Sequence, residues 1–393
     1  MTSQLLLLKF RENMNRRVYL DCNSSTAIDP RVLKVLIQEL QEEEGNPSSV
    51  HYHGQFCRKK LEESRRIIAR FLKVKPQEII FTSGGTEGAN LLIKGALQHF
   101  SLGQIISSNV EHACVDEVLK KMEKQGHSVT FLETGSWGAV DPQKLKEAIG
   151  SQTRLITLMA ANNETGVKTD IEACAAIAQE AQIPFIVDGV ALLGKEMFNI
   201  PKGVSAMFFS GHKVHVPKGI GFCFVRQGLK LMPQIIGGGQ EQNRRSGTEN
   251  LAGIVALAEG ISILSESQEK ITNQLRSRRD QLEKGLINQL DQVIINGDAP
   301  RIANTSNLSF VGIDGETLLM QLDMQGISVS HGSACSSGAL EPSRVLLNMG
   351  FSNKRAGSAI RFSVGRMTTE EDIKQTIQVL VKTIAKFKSK SFT

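Results

Sequence analysis

Three stretches of this chain place reactive side chains where a ligand can meet them. In "FTSGGTEGAN" (81–90), two glycines and Thr86 fall between an apolar strand pattern and a helix pattern. Backbone N–H groups and a helix N-terminus face an anion there, with Gly85 and Thr86 at the turn. In "FIVDGV" (185–190), Asp188 closes a second apolar run. In "SGHKVHVPKGIGFCFV" (210–225), Lys213 lies at or just past the end of a third. Taken singly, each is an ordinary feature: a glycine turn, a strand-end acid, a loop lysine. Together they are the three parts that pyridoxal phosphate needs, namely a Schiff-base lysine, an acid for its pyridinium nitrogen and a phosphate cup.

The elements that must position these groups read as α/β. Apolar runs at 78–82, 104–108, 128–132, 154–160, 184–188, 205–210 and 221–225 alternate with amphipathic stretches such as 86–99, 113–125, 142–149 and 171–181. Near-continuous apolar strands between helices predict a mostly parallel seven-stranded sheet covered on both faces. A long helical region follows over 249–290, and strands at 304–312 and 359–365 with helices near 315–325, 342–349 and 369–388 predict a smaller α+β domain. The expected division is an N-terminal extension at 1–17, a large cofactor-binding domain at 18–265 and a small domain at 266–393.

With 393 residues, 40% hydrophobic, the chain is long enough for two cores. The 46 basic residues against 40 acidic ones are scattered, without a basic stripe interleaved with aromatics, which argues against nucleic-acid binding. Six separated cysteines without a CxxC pair suggest a reducing compartment, so a cytoplasmic location is expected. "LLLLKF" is too short for a signal-peptide core or a membrane span. His51/His53 and His212/His215 lack acidic or thiol partners at metal-site spacing, so no metal is expected. Cys174 and Cys223 fit apolar patterns of a core, and no motif separates Cys22, Cys57 and Cys114 from filler.

The segments "YLDCNSSTAIDPRV", "FTSGGTEGANLLIKG", "EHACV", "NNETGV", "DGVALLGK", "SGHKVHVPKGIGF", "GGGQEQNRRSGTEN", "GSACSSGALEPSRVL" and "IRFSVGRMTTEEDI" occur in this order from about 18 to 385. They resemble the successive signatures of the cysteine desulfurases of the nitrogen-fixation and iron–sulfur-cluster type, in the class V aminotransferase branch of fold-type I pyridoxal-phosphate enzymes. The resemblance implies conversion of L-cysteine to L-alanine by a homodimer, with sulfur passed on as a persulfide to an acceptor or scaffold protein for iron–sulfur assembly or other thiolation.

Residue by residue, the resemblance makes Lys213 the cofactor's Schiff-base lysine and proton shuttle, Asp188 the partner of the ring nitrogen, and His112 the stacking histidine. Asn163 would stand near the cofactor's phenolic oxygen and the substrate. Gly85, Thr86, Ser210 and His212 would cup the phosphate, with Thr248 arriving from the neighbouring subunit, and Arg361 would clamp the substrate carboxylate. Cys335, in the loose "HGSACSSGAL", would be the sulfur acceptor, its small residues and glycines giving it reach. His331, four residues earlier, is expected to face solvent rather than to assist thiolate formation.

The sequence also departs from the family pattern. Ala191 stands where a glutamine is usual, and His215 and Val216 replace an aromatic residue and a glycine. A β-branched residue is disfavoured at positive φ, so a changed backbone is expected at Val216. Other readings of the same residues are a selenocysteine lyase, a class V aminotransferase, or an inactive scaffold protein.

Overall fold

A computed structural model describes residues 17–42, 44–332 and 341–390. Cys335 and residues 1–16 of the expected extension lie outside the described residues. In the centre is a seven-stranded sheet of β2 (Ile79–Thr82), β3 (Gln104–Ser108), β4 (Ser128–Leu132), β5 (Thr153–Met159), β6 (Phe185–Asp188), β7 (Ala206–Ser210) and β8 (Gly221–Val225). Its spatial order is β2-β8-β7-β6-β5-β3-β4. The pairs from β7 through β6, β5 and β3 to β4 are parallel, while β8 runs antiparallel to both β7 and β2.

The reason for this arrangement lies in the side chains. Strands β6, β7 and β8 are buried along their whole length, which only a sheet covered on both faces allows. Phe208 and Phe209 point to opposite faces by the strand alternation; Phe209 stacks on Phe222 of β8 at 4.7 Å between ring centres. Helices α3 (Gly85–Leu97), α4 (Ala113–Lys124), α5 (Pro142–Ala148) and α6 (Ile171–Glu180) link successive strands. These bring the C-terminal ends of β5, β6 and β7 to one edge, in the register Met159↔Asp188 and Asp188↔Phe208.

Two earlier helices, α1 (Pro30–Glu42) and α2 (Tyr52–Leu72), pack against α7 (Leu251–Ile287). The backbone of α7 breaks at Ser267 (φ −142°, ψ 15°), two residues past the boundary expected from composition, yet the helix continues on both sides. A three-stranded antiparallel sheet follows, ordered β12-β10-β9, from β9 (Val293–Ile295), β10 (Thr305–Phe310) and β12 (Ala359–Ser363). Helices α8 (Gly315–Met324), α9 (Arg344–Asn348), α10 (Asn353–Gly357) and α11 (Glu370–Lys390) accompany it.

The strand β1 (Val18–Tyr19) pairs in parallel with β11 (Ile327–Ser328), and Asp21 bridges to Ser363. The segment that leads into α1 is therefore stitched to the later sheet first and reaches the seven-stranded sheet second. This long-range pairing of two-residue strands has no periodicity to announce it.

Candidate active site

A cavity of about 280 Å³ opens at the C-terminal edge of the parallel strands, the place where α/β sheets bind ligands. Gly85, Thr86, His112, Asn163, Asp188, Ser210, His212 and Lys213 all line it, as does Ala191. Strand ends and helix starts present several of these residues. Asp188 is the last residue of β6, Ser210 the last of β7, and Gly85 opens α3. His112 caps α4, its Nδ1 accepting the Cys114 N–H at 3.1 Å. It is thus both a helix-start histidine and a wall of the cavity.

Lys213 follows β7 in a single 3₁₀ turn, Gly211–Lys213. Its Nζ donates to the Asn23 carbonyl at 2.5 Å and the Ser24 carbonyl at 2.7 Å. The segment 23–29 is laced onto the lysine turn by further bonds: Thr26 donates from both its N–H and its hydroxyl to the His212 carbonyl, each at 2.9 Å. Asp188 Oδ1 accepts the Val190 N–H at 2.9 Å. Burial pushes the Asp188 carboxyl up to about 6, opposed by that hydrogen bond and by the Lys213 charge. His112 and His212 are both pushed down, chiefly by burial and then by Lys213; His212 reaches about 4.

Two further buried acids adjoin lining residues in sequence, Glu111 before His112 and Glu164 after Asn163. Glu111 is fully buried and its Oε1 accepts from the Ser108 hydroxyl at 2.6 Å and the Met159 N–H at 3.0 Å. Its Oε2 is buried with no hydrogen-bond partner among the described residues. Burial holds this carboxyl up to about 8. Glu164, also buried and raised, accepts a hydrogen bond from Ser343 at the return of the segment that carries Cys335.

Two site candidates stand outside the cavity wall, and one expectation, at His331, changes. Arg361 is buried, but its NH2 group pairs with Asp21 at 2.6 Å and its NH1 donates to the Asn163 carbonyl at 3.2 Å. It stands behind the Asn163 backbone rather than in the cavity wall, with Nε buried and unpartnered among the described residues. Thr248 is exposed and outside this cavity. His331, expected in solvent, is buried, and its Nδ1 lies 2.7 Å from the Ala359 carbonyl. A short apolar and glycine context hides such a histidine from a sequence reading.

The backbone after the lysine keeps Val216 out of the left-handed region. His215, not Val216, takes the left-handed conformation, at φ 66°. Its N–H donates to Thr26 Oγ1 at 2.7 Å and its Nδ1 lies 2.8 Å from the Ala27 carbonyl, so the strained residue also grips the 26–29 segment. Val216 is buried in a slot left by two glycines: a Cβ on Gly260 would stand 2.4 Å from Val216 Cγ2, and one on Gly211 2.9 Å from Val216 Cγ1. The larger side chain after the lysine is accommodated by Gly260 of α7.

The cavity wall also holds residues that spacing alone did not single out. Cys22 and Cys114, without a motif of their own, line it, together with Asn23, Ser24 and Lys195. Cys174 and Cys223 are buried, as their apolar contexts imply, with burial pushing the Cys174 thiol up to about 12. Among the described residues no group of three or more His, Cys, Asp or Glu is placed to hold a metal ion.

The donor set fits a phosphorylated aldehyde with a basic ring nitrogen. A 13-residue helix begins at Gly85 with its first N–H groups toward the cavity side that Thr86, Ser210 and His212 share. His212 Nδ1 is buried and has no partner among the described residues, and a buried polar atom of this kind suits a phosphate group. A primary amine and a buried carboxyl complete the set.

The class-V aminotransferase family model matches residues 18–376. A cysteine desulfurase IscS of Dictyoglomus turgidum is 40% identical over 380 residues, covering 96% of each chain. A solved NifS-like protein superposes with a TM-score of 0.88 at 34% identity, over 94% of this chain and 99% of the other. A second solved structure, described as SspA in complex with cysteine, gives a TM-score of 0.78 at 30% identity, over 90% of this chain and 100% of that one. The chain belongs to the class-V aminotransferase family, and within it to the cysteine desulfurases.

Proposed function

We propose that the chain uses pyridoxal phosphate, held by the cavity described above, to take sulfur from L-cysteine onto Cys335, releasing L-alanine. The observation that carries this reading is the convergence of Lys213, Asp188, His112 and the α3 N-terminus on one cavity. Pyridoxal phosphate, when bound, supplies an electron sink for the carbon that bears the substrate's amine.

The protein's own residues do the rest. Gly85, Thr86, Ser210 and His212 supply the phosphate's donors, with Thr248 of a second copy as an addition. Asp188 offers a carboxylate to the ring nitrogen; a cation opposite it favours its ionised form despite burial. His112, neutral because burial and Lys213 both depress its pKa, offers an uncharged ring face. The Lys213 amine anchors the cofactor and, once displaced by substrate, moves the proton at the substrate's α-carbon. Arg361 is read as the recognition group for the substrate carboxylate, acting from behind the Asn163 segment that its NH1 holds, while Asp21 fixes its NH2.

The Cys335 thiol then takes the sulfur: L-cysteine and the enzyme thiol give L-alanine and an enzyme persulfide, with every atom conserved. Asn163 orients the substrate and cofactor side of this step, and an acceptor or scaffold protein for iron–sulfur assembly receives the sulfur. A homodimer is supported by the outward apolar residues Leu33, Ile37 and Leu40 of α1 and Tyr52 and Phe56 of α2, which one copy leaves exposed. A cytoplasmic setting is supported by six cysteines spread along the chain without a CxxC pair, of which Cys22, Cys174 and Cys223 are buried. Among the described residues no helix is long and apolar enough to cross a membrane.

The test is production of alanine and sulfide from L-cysteine and a reductant. Wild type is expected to release both, Lys213→Ala neither, and Cys335→Ala no sulfide. Full sulfide release by Cys335→Ala would overturn the thiol assignment. Faster turnover of selenocysteine than of cysteine would favour the lyase reading.

A further inference from the structure

We propose that Lys195 is a positioning residue for Lys213, holding the lysine turn from its carbonyl side while the Asn23 and Ser24 carbonyls hold the amine. The proposal rests on the reading of Lys213 as the cofactor lysine. Lys195 is a lysine buried to within a few per cent, which is uncommon without a partner. Its Nζ donates to the carbonyl of Lys213 and, at 3.5 Å, to that of Leu193. It also borders the cofactor cavity beside Cys22. An N–H donor on the peptide that carries the reactive lysine fixes the point from which its side chain springs.

The chain is built to bring Lys195 there. After β6 the backbone turns through 189–195, with the Leu192 and Leu193 N–H groups both donating to the Gly189 carbonyl at 3.1 Å. Gly194 then takes φ +72°, and a Cβ on it would stand 3.0 Å from Val214 Cγ1 and 3.3 Å from Leu264 Cδ2. A left-handed residue pressed against the neighbour of Lys213 must be glycine. The turn thus seats Lys195 directly on the 213–214 peptide. Lys213 is gripped at both ends by segments, 23–24 and 193–195, that lie far apart in sequence.

The groups facing the Lys195 amine are Cys22, Lys213 and Arg366, with His212 and His215 close enough to feel its charge. Burial, with Lys213 and Arg366, brings its pKa down to about 7, opposed by Cys22. Loss of its charge therefore relieves repulsion on any cation formed at the Lys213 nitrogen.

The experiment uses the cofactor-loaded protein in four forms: wild type, Lys195→Met, Lys195→Gln and Gly194→Ala. Steady-state constants for L-cysteine and the pH midpoint of the visible absorption band are measured for each. Lys195→Met is expected to lose about tenfold or more in kcat, with KM within about threefold. Lys195→Gln, which keeps an N–H donor for the carbonyl, is expected to recover most of kcat. In both, the band midpoint moves to higher pH because the charge is gone. Gly194→Ala keeps the amine but pushes the turn off Val214, and is expected to lower kcat with the wild-type midpoint nearly retained; this form decides the matter if Lys195→Met fails to fold. A Lys195→Met protein with kcat within about twofold of wild type and an unshifted midpoint overturns the proposal, as does a Gly194→Ala protein whose kcat stays within about twofold. Wild type that acquires no visible band overturns the reading of Lys213 instead.

Discussion

Replacing Glu111 by Gln makes the protein's stability less sensitive to pH, and the size of the effect follows from the carboxyl's surroundings. Glu111 has two donors on Oε1 and none on Oε2, in a fully buried site next to β5. The neutral acid suits such a site, because an ionised oxygen without a partner is costly to bury. Its pKa rises from the ordinary 4.5 to about 8 on folding. The native state then holds a proton that the unfolded chain has released. Stability drawn from the neutral acid is complete below pH 4.5 and is lost as the pH rises toward 8.

Each pH unit in that window is worth about 1.4 kcal/mol, so the full change is on the order of 5 kcal/mol. Glutamine keeps the carbonyl acceptor for Ser108 and Met159 and has nothing to ionise. The assay is urea unfolding of both proteins at several pH values. The difference in unfolding free energy, Glu111→Gln minus wild type, is expected to widen in favour of the variant by about 1.4 kcal/mol per unit through the middle of the window. A difference independent of pH would refute the reasoning, since it would mean that Glu111 is ionised in both states.

Other outcomes follow from the same contacts. Arg361→Lys keeps a charge but loses the planar fork that joins Asp21 and the Asn163 carbonyl, so kcat/KM for L-cysteine is expected to fall about 10- to 100-fold in steady-state assays. Gly260→Ala sets a methyl against Val216 and is expected to cost about 1–3 kcal/mol, seen as a lower thermal midpoint. Adding Val216→Ala to that variant is expected to recover part of the loss, because the two positions share one space.

The large sheet was legible because its strands are buried on both faces and so appear as unbroken apolar runs; observed and expected limits differ by at most one residue. Lys213 and Asp188 were legible because strand ends in such a sheet meet at one edge. What escaped the sequence were contacts made across long separations. Nothing local marks Asn23 and Ser24 as partners of a lysine 189 or 190 residues away, or Lys195 as a donor to its carbonyl. Glu111 adjoins His112 in "EHACV", yet its burial depends on Ser108 and on β5. Val216 shows a second limit: the sequence raised a backbone conflict there, but the left-handed turn belongs to His215, and Gly260 makes the room.

The most direct test of the account is to give the cofactor-loaded protein one equivalent of L-cysteine without reductant, quantify alanine, and locate added sulfur by peptide mass mapping. The account expects close to one alanine per active subunit and one added sulfur on the peptide containing Cys335. Alanine formed with the sulfur on another cysteine such as Cys22, or no alanine from protein whose Lys213 carries the cofactor, would contradict it.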